Sequence, residues 1–286
     1  MDGSKIFIAG ANGQLGTALR QKYPNAQSAD IDQMDITNRD SVLGYNWSNI
    51  DAIINAAAFT NVDAAETPEG RVAAWRVNAQ AVAHLVEAAQ VNNLTLVHVS
   101  TEYVFDGTKD NHAVNEPYSP LGVYAQTKAA SEIVAGLTPK HYIFRISWLI
   151  GEGHNFVRTM MGLAEKNVSP TVVADQVGRL TFTPTLVDVI DHALRNQIEF
   201  GIYNVSNDGD PASWADITRL IFEYMGRKDL KVTDTTTAEY FASKPESSPR
   251  PLKSAMDLTK IKSSGAQLSD WHSELKNYVD KEMEKK

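Results

Sequence analysis

Cysteine is absent from the 286-residue chain, which excludes disulfides, thiolate nucleophiles and cysteine–zinc sites. Basic residues are outnumbered, 27 against 35 acidic, and the net charge is −8. With no basic cluster to set against that balance, nucleic acid is not an expected partner. No apolar run is long enough to span a membrane, so no membrane partner is expected either. Met1-Asp2-Gly3-Ser4 leads directly into a strand with no signal-peptide pattern, and a soluble, cytoplasmic protein is the expectation. The seven histidines, at 84, 98, 112, 141, 154, 192 and 272, show no metal-ligand spacing, so no metal site is read from them. Internal repeats and low-complexity linkers are also missing.

The length suits one large domain or two of ordinary size, with a sizeable core. Lys5-Ile6-Phe7-Ile8-Ala9 is the short apolar run of a buried parallel strand. It enters Gly10-Ala11-Asn12-Gly13-Gln14-Leu15-Gly16, followed by a helical pattern with Leu15, Ala18 and Leu19 on one side. Glycines between a strand and a helix permit a tight turn and let backbone amides approach a pyrophosphate. The spacing is G-x-x-G-x-x-G where many dinucleotide sites have G-x-G-x-x-G, and an ordinary glycine turn is the plain alternative. The flanking strand and helix favour the phosphate site, with Gly10, Asn12, Gly13, Gln14, Leu15 and Gly16 as its contacts.

A faint strand over 26–29 leads to Asp30, twenty residues after Gly10, where an acidic residue meets an adenosine ribose. Asp32 is the alternative, and a simple loop acid is the plain reading of either. Asp35-Ile36-Thr37-Asn38 reads as a loop into a helix capped by Thr37 or Asn38. A strand over 51–54 opens into Asn55-Ala56-Ala57-Ala58-Phe59-Thr60. Small residues there leave room for a flat cofactor, or equally for a close-packed helix. A single long helix fits 69–92, with Asn78 its odd polar residue, either a satisfied core amide or a positioning group.

The strand over 94–99 delivers Ser100 and Thr101 to its C-terminal end, the edge where ligands sit in open α/β sheets. Tyr124 and Lys128, four residues apart, share one helix face. A free tyrosine, with a pKa of about 10, is a poor acid–base catalyst near neutrality, and a nearby ammonium is expected to pull that value down. Tyr-x-x-x-Lys alone is a weak signal; the surrounding motifs turn it into a candidate for delivering a proton to a carbonyl as a hydride arrives. Another strand follows over 141–146, and the alternation so far predicts a doubly wound parallel sheet of Rossmann type.

After Ser147-Trp148 the rhythm changes. The sequence predicts a helix from 155 to about 166, a strand over 171–174, and a polar loop over 175–181. A helix over 185–197 returns to the first unit, and a strand fits 201–205. Ser213 and Asp216 form a capping box, and Asp257 and Ser269 start two closing helices. Ser247-Ser248-Pro249-Arg250-Pro251 holds Arg250 on a stiff loop. The expected division is a dinucleotide-binding domain at 1–147, with helix 185–199 added. A smaller mixed α/β substrate domain takes 148–184 and 200–286.

Taken together, these motifs resemble the extended short-chain dehydrogenase/reductases over nearly the whole chain, and within them the dTDP-4-dehydrorhamnose reductase family. The resemblance rests on the Gly10–Gly16 turn, Asn55-Ala56-Ala57-Ala58, Ser100-Thr101-Glu102-Tyr103-Val104-Phe105, Tyr124 with Lys128, and Arg145-Ile146-Ser147-Trp148. Asn155-Phe156, Asp175-Gln176-Val177-Gly178 and Ser248-Pro249-Arg250-Pro251 extend it. It implies that Thr101 polarises a ketone, Tyr124 donates the proton, and Lys128 holds the nicotinamide ribose while tuning the tyrosine. It implies a pyrophosphate on Gly10, Gly13 and Gly16, adenine bordered by Asp35 and Ile36, and a cofactor channel along Ala56, Ala57 and Ala58. Thr60, Val62, Tyr103, Phe105, Trp148 and Asn155 would surround the sugar, and Arg250 would meet the nucleotide's phosphates, which guanidinium matches well.

The implied reaction reduces the C4 ketone of a nucleotide-linked 4-keto-6-deoxysugar, dTDP-4-dehydro-L-rhamnose, with NADPH or NADH, in supply of cell-surface polysaccharide. The implied assembly is a monomer or homodimer, with magnesium implied by resemblance only. Two positions depart from the family pattern: Glu102 stands where aspartate is usual, beside a catalytic residue, and Leu180 where proline is usual, on the expected lid loop. Alternatives are another nucleotide-sugar reductase or epimerase, or a noncatalytic NAD(P)-binding regulatory subunit of the methionine adenosyltransferase type. The presence of all three of Thr101, Tyr124 and Lys128 favours an enzyme.

Overall fold

The computed structural model describes residues 1–244 and 246–285. The first elements are β1 (Ile6–Ala9), α1 (Gln14–Lys22), β2 (Gln27–Ala29), α2 (Arg39–Leu43) and β3 (Ala52–Asn55). Next come α3 (Pro68–Trp75), α4 (Ala81–Val91), β4 (Thr95–Thr101), α5 (Val123–Ala135) and β5 (His141–Ile146). The second half adds β6 (Leu149–Ile150), α6 (Phe156–Glu165), β7 (Thr171–Val173), β8 (Val177–Gly178), β9 (Thr181–Phe182) and α7 (Thr183–Asn196). It ends with β10 (Gly201–Val205), β11 (Ala212–Ser213), α8 (Trp214–Tyr224), β12 (Thr233–Thr235), α9 (Thr237–Phe241), α10 (Thr259–Ser263) and α11 (Trp271–Glu284).

β1 and β3 are buried along their whole length, which is why they read as unbroken apolar runs rather than alternating ones. They lie side by side near the middle of a six-stranded sheet ordered β10-β5-β4-β3-β1-β2, every pairing parallel. The order reverses between β1 and β3, and a ligand crevice belongs outside the C-terminal strand ends at such a switch point. Thr101 ends β4 beside that crevice, and Gly10 and Ala56 follow β1 and β3 into it.

The helix expected over 69–92 is interrupted. Thr67 caps α3, and a π-turn at Arg76–Gln80 separates it from α4. The wider turn leaves Asn78 buried, where its amide bonds both the N–H and the C=O of Phe59 and donates to Thr127 Oγ1. Asn78 is therefore both a satisfied core amide and a positioning group, tying the segment after β3 to α5. Asn38, not Thr37, caps α2.

Three further expectations change. The strand at 201–205, expected in the substrate domain, instead pairs as β10 with β5 and closes the main sheet, because its Tyr203 and Val205 complete the first apolar core. The loop expected over 175–181 holds two short strands: β8 pairs with β11, and β9 with β6. Between them Leu180 is fully buried in the second core, among Ile150, Phe182, Ile217 and Trp271. The last helix starts on Asp270 rather than Ser269. Asp270 accepts from Ser273 N–H, while the Ser269 carbonyl is already taken by Asp208 N–H. α7 does pack on the first core, through Leu186, Val187 and Ile190, with Tyr23 donating to Asp191 at 2.8 Å.

α5 is fixed to the sheet by charge. Glu132 on α5 and Arg145 on β5, whose side chains are 0% and 2% exposed, pair at 2.7 Å. Ser100 and Tyr118 hydroxyls donate to the same carboxylate, and Arg145 also donates to the Val114 carbonyl while lying over Phe105. Removing one partner strands a buried charge, which costs about 3–5 kcal/mol, whereas replacing both by apolar residues is often nearly neutral. Arg145→Met should therefore lower unfolding free energy in urea by that amount. Arg145→Met with Glu132→Leu should recover most of it. A single variant as stable as wild type would show that the pair carries no such role.

Candidate active site

The glycine turn is built for close approach. Gly10 sits at φ +80°, and a Cβ on it would meet Ala57 N at 2.6 Å. A Cβ on Gly16 would lie 2.1 Å from the Gly10 carbonyl oxygen, so this glycine lets α1 press against the turn. Gly13 is different: its nearest neighbour to an added Cβ is 3.6 Å away, and it faces the crevice just ahead of the α1 N-terminus. The turn's own amides from Gly10 to Gly13 are already bonded, so it is the first-turn amides of α1, with the helix dipole, that suit a pyrophosphate. Asn12 lies outside the crevice wall; its N–H donates to Asp30 Oδ2 at 2.9 Å, fixing the turn against the end of β2.

Two adjoining cavities share Gly13, Ala56, Ala57 and Ala58. The first, about 370 Å³, is bordered by Gly10, Asp30, Asp35 and Ile36, as expected for an adenosine end. Met34, Thr37 and Val77 also line it; no spacing rule marked them. Among the described residues, no lysine or arginine lines it. Arg39 is paired with Glu87, and Arg76 reaches only to 3.9 Å from Asp35.

The second cavity, about 480 Å³, brings together Gln14, Leu15, Thr60, Val62, Thr101, Tyr103, Tyr124, Lys128 and Trp148. Trp148 adopts a left-handed backbone at φ +42°, uncommon for a bulky residue. Its ring stacks on Trp214 at 3.7 Å between centroids, which holds it at the cavity wall. Tyr103 and Tyr124 meet edge to face at 5.9 Å.

Lys128 is buried. It donates to the Val99 carbonyl at 2.7 Å, and desolvation pushes its pKa down to about 8, opposed by Glu132. Below it runs a polar spine. Asn55 Nδ2 meets His98 Nδ1 at 3.2 Å, His98 Nε2 meets Ser131 Oγ at 2.9 Å, and Ser131 donates to the Lys128 carbonyl. Burial, helped by Lys128, holds the His98 pKa well below its usual value, so the ring is neutral. The expected downward pull of Lys128 on Tyr124 does not prevail here. Burial drives the tyrosine pKa up, with Glu102 and Tyr103 pushing the same way and Thr101 opposing. Tyr124 is thus held firmly as the protonated phenol, the form a proton donor needs.

Three expected sugar or nucleotide contacts lie elsewhere. Phe105 is fully buried, stacked on His112 at 4.7 Å, because the turn at Glu102–Val104 sends Tyr103 to the cavity and Phe105 to the core. Asn155 is the N-cap of α6, accepting from Arg158 N–H and donating to Tyr278 and the Gly151 carbonyl. Arg250 is paired with Asp63 at 2.8 Å and lies over Phe241. Glu102, Val99, Ile146 and Leu149 line the cavity without having been expected there. Among the described residues, no group of three or more histidine, aspartate or glutamate side chains is placed to hold a metal ion, magnesium included.

A parallel switch-point sheet, a glycine turn at its crevice and a Thr–Tyr–Lys cluster at the β4 edge define a Rossmann-type oxidoreductase of the short-chain kind. Comparison narrows this. The family model described as RmlD substrate binding domain matches residues 4–284, and the chain belongs to that family. It is 38% identical to a dTDP-4-dehydrorhamnose reductase of Aggregatibacter actinomycetemcomitans, over 96% of this chain and 98% of the relative. It is similar to the crystal structure of such a reductase from Clostridium acetobutylicum (TM-score 0.89, 33% identity, 96% and 98% covered). It also matches the Bacillus anthracis enzyme in complex with NADP (TM-score 0.87, 31% identity, 96% and 97% covered).

Burying Lys128 has a stability consequence of definite sign. Its folded pKa lies below the unfolded value of 10.5, so burial penalises the charged lysine below about pH 8. That penalty fades as pH rises from 8 to 10.5. Each unit of depression is worth about 1.4 kcal/mol, against which removing the side chain loses a hydrogen bond worth about 1 kcal/mol. Lys128→Met should therefore stabilise the cofactor-free protein at pH 7 by about 2–3 kcal/mol, with the gain vanishing near pH 10. Denaturant melts at the two pH values check this; a variant less stable at pH 7 would contradict it.

Proposed function

We propose that this protein reduces the C4 ketone of a nucleotide-linked 4-keto-6-deoxysugar, dTDP-4-dehydro-L-rhamnose, to dTDP-L-rhamnose with NAD(P)H. The observation that carries the reading is that Thr101, Tyr124 and Lys128 line one cavity continuous with the glycine turn. The bound nicotinamide supplies the hydride. Tyr124 gives its phenolic proton to the C4 oxygen, Thr101 hydrogen-bonds that oxygen, and the Lys128 ammonium holds the nicotinamide ribose and offsets negative charge near the tyrosine. Thr60, Val62, Tyr103 and Trp148 enclose the sugar. The lobe of the second core serves as the substrate-binding part. The protein works in the cytoplasm as a monomer or homodimer. A noncatalytic binding role is disfavoured because nothing in pure cofactor binding requires a Thr–Tyr pair at the cavity beside the buried lysine.

The decisive experiment is single-turnover oxidation of bound NADPH by dTDP-4-dehydrorhamnose. Tyr124→Phe keeps the ring but removes the proton, so turnover should fall about 10²–10⁴-fold with cofactor affinity retained. Thr101→Val should cost less. Near-wild-type chemistry in Tyr124→Phe would overturn the mechanism.

Cofactor choice follows from the adenosine-end cavity. Its two bordering acids, Asp30 and Asp35, repel a 2′-phosphate, and among the described residues no basic side chain lines it. NADH should be used at a rate within about tenfold of NADPH, and Asp30→Asn should shift the ratio toward NADPH. Steady-state rates at matched concentrations test this, and a strict NADPH requirement in wild type would contradict it.

A further inference from the structure

Glu102 is the buried acid that the mechanism above does not use. It follows Thr101 directly, is 3% exposed, and lines the same cavity as Tyr124 and Lys128. One carboxylate oxygen, Oε2, is 2.8 Å from Thr101 Oγ1; the other, Oε1, is buried without a hydrogen-bond partner. An ionised carboxylate with an unsatisfied oxygen is costly in such a place, and a neutral acid is not.

The hydrogens around Thr101 can be counted. Its hydroxyl has one proton and two lone pairs. One lone pair accepts Tyr103 N–H at 3.2 Å, and the Tyr124 phenol, which also reaches the Thr101 hydroxyl, turns its proton to the ketone when substrate is bound. When Glu102 is ionised, the single Thr101 proton is committed to Oε2, and none is left for a ketone. When Glu102 is protonated, its own O–H fills the second lone pair, and the Thr101 proton is free to point at the substrate oxygen. We propose that Glu102 is a positioning residue whose protonation releases the Thr101 hydroxyl to hydrogen-bond the ketone, making reduction depend on a neutral carboxylic acid beside the catalytic pair. This rests on the reductase reading above and adds to it a pH-controlled step.

The surroundings support the neutral form. Burial pushes the Glu102 pKa up to about 7, outweighing the Thr101 and Ser254 hydroxyls, which favour the carboxylate. The titratable groups around it are Tyr103 on its own turn and Tyr124 and Lys128 from α5. Arg250 and Asp63, paired with each other, act on Tyr103 with opposed charges. Among the described residues the cation lining the cavity is Lys128, whose own depressed value near 8 gives a second, later loss of activity as pH rises.

The test is the pH profile of NADPH oxidation in single turnover with dTDP-4-dehydrorhamnose, for wild type, Glu102→Gln and Glu102→Asp. The glutamine amide donates to Thr101 at every pH and so imitates the neutral acid. Wild type should lose on the order of tenfold in rate between pH 6.5 and 8. Glu102→Gln should match the wild-type rate at pH 6 within about threefold and stay flat until the Lys128 limb. Glu102→Asp should keep a limb. A glutamine variant that binds NADPH normally yet retains the limb near 7, or is inactive at pH 6, overturns the proposal. Infrared titration in the complex with NADP⁺ reads the same group without any substrate. A carboxylic-acid band lost near pH 7 in wild type and missing in Glu102→Gln supports it; a carboxyl ionised throughout pH 5–9 overturns it. Failure of wild type to reduce this sugar would defeat the proposed function alone, and the infrared result would still decide the role of Glu102.

Discussion

The buried Glu132–Arg145 pair decides where one helix sits, and the cavity chemistry depends on that placement. Tyr124, Lys128 and Glu132 are spaced four apart on α5, so they share a face one turn from each other. Pinning Glu132 to Arg145 on β5 sets the height of Tyr124 over the C-terminal strand edge and points Lys128 at the Val99 carbonyl. Ser100, the residue before Thr101, donates to the same carboxylate, so the strand end and the helix are registered to each other by one group. An apolar anchor of equal volume would hold the helix as tightly. It would not fix its rotation with the directional hydrogen bonds that a proton donor needs.

The cavity floor shows how a cation is kept in a place that resists it. Desolvation works against the Lys128 ammonium, and only Glu132 offsets this, from the next helical turn. The His98 ring beneath stays neutral, which avoids a second positive charge. Asn55 and Ser131 accordingly satisfy that ring with uncharged partners, and Asn55 also accepts from Ala57 N–H on the wall shared by the two cavities. The arrangement stores instability at the site, as expected where side chains are placed for chemistry rather than for folding.

Much of this was legible in the residues because it is local. Buried parallel strands announce themselves as apolar runs, the glycines report close backbone approach, and Tyr124 with Lys128 reports a helix face. What was misread depended on partners distant in sequence. Arg250 looks free until Asp63, 187 positions away, comes to meet it. The strand at 201–205 looks like part of the second lobe until β5 offers it an edge. Asn155 was misassigned despite an available signal: an asparagine immediately before an apolar-periodic helix is a favoured N-cap. Phe105, placed beside the sugar by resemblance alone, is carried into the core by the turn at Glu102–Val104, which the residues do not announce.

Leu180 and Glu102, the two positions expected to depart from the resembled pattern, separate along the same line. Leu180 points into the second core, fully buried, and its carbonyl accepts Asn207 N–H, so its side chain serves packing, two residues from the strand that bears on Trp148. Glu102 borders the reacting groups. Its extra methylene, relative to aspartate, gives the carboxyl a longer reach from the same backbone position, and here one oxygen bonds back to Thr101 while the other is left buried and unpartnered. A change of one methylene in the core alters volume. The same change beside a single-proton hydroxyl alters which way that proton points, and this is why a conservative acid-for-acid difference bears on chemistry at 102 while a larger difference at 180 does not.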